Sequence, residues 1–302
     1  MSARTFRNLS ASVRQRLLNR ARSDLRPFNE LLQYYAIERF LYRLSQSPYA
    51  DKFILKGGLL MRVWRSPEIR PTMDIDMLGI INNEESDVIS KIQEIVTIDV
   101  EPDGLDFDPD SIRAEKIIEN ADYEGVRILL NGFMGTAKVS LQIDIGFGDA
   151  VFPRSEKMDL PAILNFPIPC LQCYSRESVI AEKFEIMVKL GELNSRMKDF
   201  YDIWMLSQYY NFEGTTLVEA IRLTFERRKT SLPDTIIIFT EDFIIQKQTQ
   251  WIAFLKRLKQ SHAPDSLSSL TEMMHNFLSP LISSLSHGTS FPMNWIAPGP
   301  WN

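Results

Sequence analysis

The sequence predicts an α/β (α+β) protein, with a mixed sheet flanked by helices in its first part and a mainly helical C-terminal domain. Three observations carry this. Short segments of alternating apolar and polar residues, such as KVSLQIDIGF, recur between residues 53 and 147. Prolines then gather at 153, 161, 167 and 169, where the composition shifts from sheet-like to connector-like. Long stretches of helical periodicity follow. The expected divisions are 1–50, a helical segment packed on the core; 51–170, the sheet-bearing domain; and 171–302, the helical domain that completes a cleft.

Composition narrows the classes. With 302 residues the chain can build a sizeable core and two domains. A formal net charge of -5 argues against a broad basic coat for nucleic acid and leaves local basic patches open. There is no apolar run of about 18 residues, so no membrane partner is expected. The amino-terminal stretch MSARTFRNLSASVRQRLLNRARSDL has no continuous apolar region of the secretory type. A cytoplasmic, monomeric protein is the expectation. Cys170 and Cys173 form a lone C-x-x-C. Without a second pair or neighbouring histidines, inert thiols are favoured over a zinc or redox role.

The elements follow in order. Residues 7–24 favour a helix with Val13, Leu17, Leu18 and Ala21 on an apolar stripe. Its arginines 14, 16, 20 and 22 either meet phosphate or form a solvated face. After Pro27, residues 28–46 form a second helix burying Leu31, Tyr35, Phe40 and Leu44, and the Tyr34–Tyr35 pair belongs to packing. Phe53-Ile54-Leu55 enters Gly57-Gly58 as strand, turn, then helix through LLMRVW. Pro67 and Pro71 bracket a loop in which Arg70 and Thr72 precede the strand MDIDMLGII. Residues 84–97 are helical. The acidic run with Asp103, Asp106, Asp108 and Asp110 lacks EF-hand spacing and reads as a surface loop. A turn near Glu124-Gly125 precedes the strand VRILLNGF, and KVSLQIDIGFGD is the next strand, with Asp149 beyond it as a lesser ligand candidate. Ser175 caps the first of two helices around Gly191. Further helices cover 215–229, 241–260 and 266–286, the last broken at Pro280. Trp295 and Trp301 dock the irregular tail back on the body.

The chemistry concentrates on three aspartates. On an extended segment, Asp74 and Asp76 point to one face. Asp144 alternates with Leu141, Ile143 and Ile145, and so takes the polar face of another strand. A sheet that brings the three together makes a site for one or two divalent cations such as Mg2+ or Mn2+, which bind nucleotide phosphates. Three unrelated surface aspartates are the other reading. Glu182 and Lys183 begin a helical face in AEKFEIM, and RMKDFYDIW spaces Arg196, Asp199 and Asp202 at i,i+3. Lys183 can neutralise a triphosphate, with Asp199 positioning Lys183 or the nucleotide, and Asp202 holding Arg196 or the interdomain joint. A purely structural ion network fits these residues equally well.

The stretches LKGGLLMRVW, RPTMDIDML, LQIDIG, AEKFEIM and RMKDFYDIW together resemble the AbiEii/AbiGii-type nucleotidyltransferase toxin family, within the DNA polymerase β-like nucleotidyltransferase superfamily. They extend over roughly residues 53–204. Two positions depart from the pattern. Gly57-Gly58 stands where the superfamily commonly has glycine–serine, and Lys198-Asp199 where the family often has Arg-Asp. The resemblance implies a nucleotidyltransferase sheet and helical C-terminal portion. It implies Asp74, Asp76 and Asp144 as metal ligands. Lys183 and Asp199 become catalytic positions, and Gly57, Gly58, Lys183, Arg196 and Asp202 nucleotide-binding ones. A nucleoside triphosphate would donate its nucleotidyl group to an acceptor, RNA such as a tRNA 3′ end, in a toxin–antitoxin or phage-defence system with a cognate antitoxin. A metal-dependent nuclease and a noncatalytic interaction protein are the alternatives.

Overall fold

The computed structural model describes residues 3–67, 71–120, 123–258 and 262–302. The chain forms two compact units. The first comprises Met1–Arg65, Pro71–Gly148 and Glu156–Cys173. Its elements are α1 (Ala3–Ser23), α2 (Phe28–Gln46), β1 (Phe53–Lys56), α3 (Leu60–Val63), β2 (Asp74–Gly79), α4 (Glu85–Val96), β3 (Asp106–Asn120), β4 (Tyr123–Met134), β5 (Ala137–Phe147), β6 (Glu156–Asp159) and β7 (Cys170–Cys173). The strands make one seven-stranded mixed sheet in the order β3-β4-β5-β2-β1-β7-β6. β2 runs parallel to β5 and antiparallel to β1, while β3, β4 and β5 form an antiparallel meander.

Alternation decides which face is buried. Val139, Leu141, Ile143 and Ile145 of β5 and Ile75 and Met77 of β2 enter the core. Leu31, Tyr35, Phe40 and Leu44 of α2 and Val88, Ile92 and Ile95 of α4 are buried with them. The intervening residues Asp74, Asp76, Gln142 and Asp144 take the other face and remain half-buried. Tyr34 and Tyr35 serve packing with satisfied hydroxyls. The Tyr34 oxygen accepts from the Thr72 amide at 2.8 Å, and Tyr35 donates to the Asp103 carbonyl at 2.7 Å.

Several segments differ from expectation. The acidic run is not a loop. Asp106, Asp108 and Asp110 open β3, and Asp103 is buried against Arg43 of α2 at 2.7 Å. The guanidinium supplies what an isolated buried carboxylate lacks. Gly125 lies inside β4 rather than at a turn. The proline-rich connector contributes β6 and β7, with β7 pairing parallel to β1 at Leu55 and Cys173. Four-residue strands carry too little alternation to stand out from a connector. Cys170 and Cys173 are free thiols, and burial, with a smaller effect of neighbouring Cys170, pushes the Cys173 thiol up to about 12. Arg70 lies outside the described residues.

The second unit comprises Ser66–Arg70, Asp149–Ser155 and Tyr174–Asn302. It contains α5 (Arg176–Leu190), α6 (Met197–Tyr209), β8 (Phe212–Glu213), α7 (Gly214–Arg227), α8 (Glu241–Leu258), α9 (Leu267–His287) and β9 (Asn294–Trp295). Ser175 caps α5, its hydroxyl accepting from the Ser178 amide at 3.1 Å. Gly191 ends it with φ 49°. Pro280 does not break α9. One missing amide is outweighed by the burial of Met274, Phe277, Leu278 and Leu281 along one stripe. The tail returns as expected. Trp301 stacks on Phe277 at 5.7 Å, and the Trp295 indole donates to the Ser207 carbonyl at 2.7 Å. Among the described residues, no helix is long and apolar enough to cross a membrane.

Candidate active site

The parallel register of β2 and β5 sets Asp76 opposite Asp144 and Asp74 opposite Gln142. Registered partners on neighbouring strands point to the same face. One carboxylate oxygen from each of Asp74, Asp76 and Asp144 therefore lies within 4.8 Å of the others. Three carboxylates so placed repel in proportion to the charge that neighbouring cations leave uncompensated, and a divalent ion among them removes that repulsion. An all-oxygen donor set suits a hard divalent ion. Ligand oxygens about 2.1 Å from Mg2+ lie about 3–4.2 Å apart, a range compatible with the 4.8 Å limit met here. The donor set and spacing fit Mg2+ or Mn2+.

The wall beside Asp76 is backbone. Gly57 has φ +71°, and a Cβ built on it would lie 1.9 Å from Oδ2 of Asp76. Both the conformation and the space demand glycine. Gly58 is buried in the same 3-10 turn, Gly57–Leu59. Gly57→Ala is expected to displace the Asp76 carboxylate and to destabilise the first unit by about 1–3 kcal/mol, measurable by urea denaturation.

Asp144 has a further partner that sequence reasoning missed. Arg127 stands opposite it on β4. Its Nε donates to Oδ1 and its Nη2 to Oδ2, each at 2.8 Å. The hydrogen bond to Asp144 raises the Arg127 pKa, against the opposing effect of burial. Gln142 Nε2 lies 3.2 and 3.1 Å from the same two oxygens. The alternation of VRILL puts Arg127 on the polar face of its strand, but the β4–β5 register that aligns it with Asp144 is not visible in the sequence.

In the second unit, Lys183 of α5 meets two buried carboxylates of α6, Asp199 Oδ1 at 2.6 Å and Asp202 Oδ2 at 2.9 Å. Arg196 Nε donates to Asp199 Oδ2 at 2.7 Å. Asp199 and Asp202 are 1% and 0% exposed, so their charge depends on these cations. Burial pushes the Asp199 carboxyl up, but Lys183 and then Arg196 outweigh it and hold the group well below the usual carboxylate range. Asp202 thus takes Lys183, where the sequence suggested Arg196. Asp149, the lesser ligand candidate, is engaged in an ion network and lies outside the metal-capable group found among the described residues. It pairs with Arg228 at 2.9 Å, which also meets Glu185 at 2.9 Å and Glu182 at 3.3 Å. The structure thus gathers Asp74, Asp76 and Asp144 beside Gly57, and separately Lys183, Arg196, Asp199 and Asp202.

A family model described as nucleotidyl transferase AbiEii toxin, type IV toxin–antitoxin system, matches residues 39–274. The chain belongs to the AbiEii family. The match spans both residue clusters, and membership places the protein among enzymes of the nucleotidyltransferase class. Two solved structures are also similar. JHP933 from Helicobacter pylori shares 14% identity, with 82% of this chain and 93% of that chain covered and a TM-score of 0.44. A candidate nucleotidyltransferase from H. pylori shares 14% identity, with 80% and 93% covered and the same TM-score of 0.44. No curated protein gives a significant match.

Proposed function

We propose that the protein transfers a nucleoside monophosphate from a nucleoside triphosphate to an RNA acceptor, such as a tRNA 3′ end, as the toxin of a system with a cognate antitoxin. The supporting observation is the convergence of Asp74, Asp76 and Asp144 beside Gly57 in a member of the AbiEii family. Asp74 and Asp76 would hold the divalent ion and Asp144 would supply the third carboxylate. That ion, when bound, neutralises phosphate charge and polarises an attacking hydroxyl. Gly57 and Gly58 leave room for the phosphates. Within the second unit, Lys183 and Arg196 are the cations offered to an anionic substrate, Lys183 being positioned by Asp199 and Asp202. In the reaction the acceptor oxygen bonds to the α-phosphorus, the bond to the bridging oxygen breaks, pyrophosphate leaves, and the hydroxyl proton passes to solvent or base.

The test offers each of the four nucleoside triphosphates, labelled at the α-phosphate, to the purified protein with Mg2+ and total bacterial RNA. Labelled RNA is the expected product, and its sequence identifies acceptor and base. Shortened, unlabelled RNA would replace this reading with a nuclease. Intact, unlabelled RNA would reject RNA as the acceptor.

A further inference from the structure

A metal-binding role for the triad does not by itself account for Arg127. Strand order puts Asp144 between Arg127 on β4 and the two aspartates on β2. Both Asp144 oxygens are engaged by the guanidinium fork at 2.8 Å, so this carboxylate already has a counter-charge. A divalent ion drawn to the triad meets that fixed positive charge and competes for the same oxygens. Arg127 is also partly exposed. Its side chain is 35% exposed, against 19% for Asp144, so leaving the pair strands no fully buried group. Phosphate oxygens fit a guanidinium fork as a carboxylate does.

We infer that Arg127 couples the divalent cation to the phosphate chain: it opposes binding of the bare cation and exchanges Asp144 for phosphate oxygens when metal and polyphosphate arrive together. This rests on the reading of the triad as a metal site. The coupling makes the loaded state cooperative, with the cation weakly held until an anionic substrate accepts the guanidinium. A merely structural cross-strand salt bridge would act differently. Losing it would disorder Asp144 and weaken metal and polyphosphate binding together.

Opposite signs therefore decide the matter. Mn2+ binding is followed by electron paramagnetic resonance for the wild type, Arg127→Met and Arg127→Lys. Tripolyphosphate binding is measured by calorimetry at saturating Mn2+. Arg127→Met should bind bare Mn2+ at least about fivefold more tightly and Mn2+–tripolyphosphate at least about fivefold more weakly. Arg127→Lys keeps the charge without the fork. It should show near wild-type Mn2+ affinity and weakened tripolyphosphate binding. Affinities that fall together, or stay unchanged, in Arg127→Met overturn the inference while leaving the metal site intact. If Arg127→Met does not fold, unchanged tripolyphosphate binding in Arg127→Lys overturns it. A folded wild type that binds no Mn2+ refutes the metal site itself, and the inference with it.

Discussion

Asp74→Asn combined with Asp76→Asn is expected to lower Mg2+-dependent nucleotide transfer by about a thousandfold or more, while the melting temperature stays unchanged or rises slightly. The loss follows from removing two anionic ligands. Asparagine keeps the shape but not the charge that holds a divalent ion, and about 4 kcal/mol of transition-state stabilisation corresponds to that factor. The stability follows from the same geometry. Three half-buried carboxylates with oxygens within 4.8 Å repel to the extent that Arg127 does not offset them, and neutralising two relieves this. Label incorporation and thermal unfolding of one preparation check both halves. A large fall in melting temperature would instead make the aspartates structural, with lost activity only its consequence.

Lys183→Met is expected to be the most destabilising substitution in the second unit, at about 3–5 kcal/mol by urea denaturation. It leaves Asp199 and Asp202, 1% and 0% exposed, without the ammonium that meets both. Adding Asp199→Asn and Asp202→Asn to Lys183→Met should recover part of the loss, because the buried charges that lost the ammonium disappear. Recovery would assign the cost to those charges rather than to lost packing. Acid unfolding reports on the same cluster. Burial would raise the Asp199 carboxyl, yet Lys183 and Arg196 depress it in the folded protein. A depressed folded value adds stability above the unfolded value near about 3.9, and that stability is lost as pH falls from there toward the folded value. Stability should therefore drop steeply below about pH 4, and less steeply in the Lys183→Met, Asp199→Asn, Asp202→Asn variant.

Much of this site was readable before the fold. The alternation of MDIDML and LQIDIG already placed Asp74, Asp76 and Asp144 on polar strand faces. The i,i+3 spacing of Arg196, Asp199 and Asp202 made a charged face on α6. Cross-strand register was not readable. Nothing local says that Asp76 lies opposite Asp144, or that Arg127 lies opposite Asp144 from the other side. Gly57 was already a nucleotide-binding expectation through the family resemblance, and the 1.9 Å approach of a virtual Cβ to Asp76 supplies the contact that the sequence does not show. The failures share a cause: long-range burial overrode local signals. Asp103 looked like a solvated loop acid until Arg43 covered it, and Pro280 looked like a break until α9 buried both flanks.

Where the label travels tests nucleotidyl transfer most directly. Two samples of one nucleoside triphosphate, labelled at the α- or the γ-phosphate, are incubated with the protein, Mg2+ and RNA. Transfer of a nucleoside monophosphate predicts α-label on the RNA and γ-label only in released pyrophosphate, with both signals absent from the Asp74→Asn, Asp76→Asn variant. γ-Label on the RNA, or α-label incorporated equally by that variant, would contradict it.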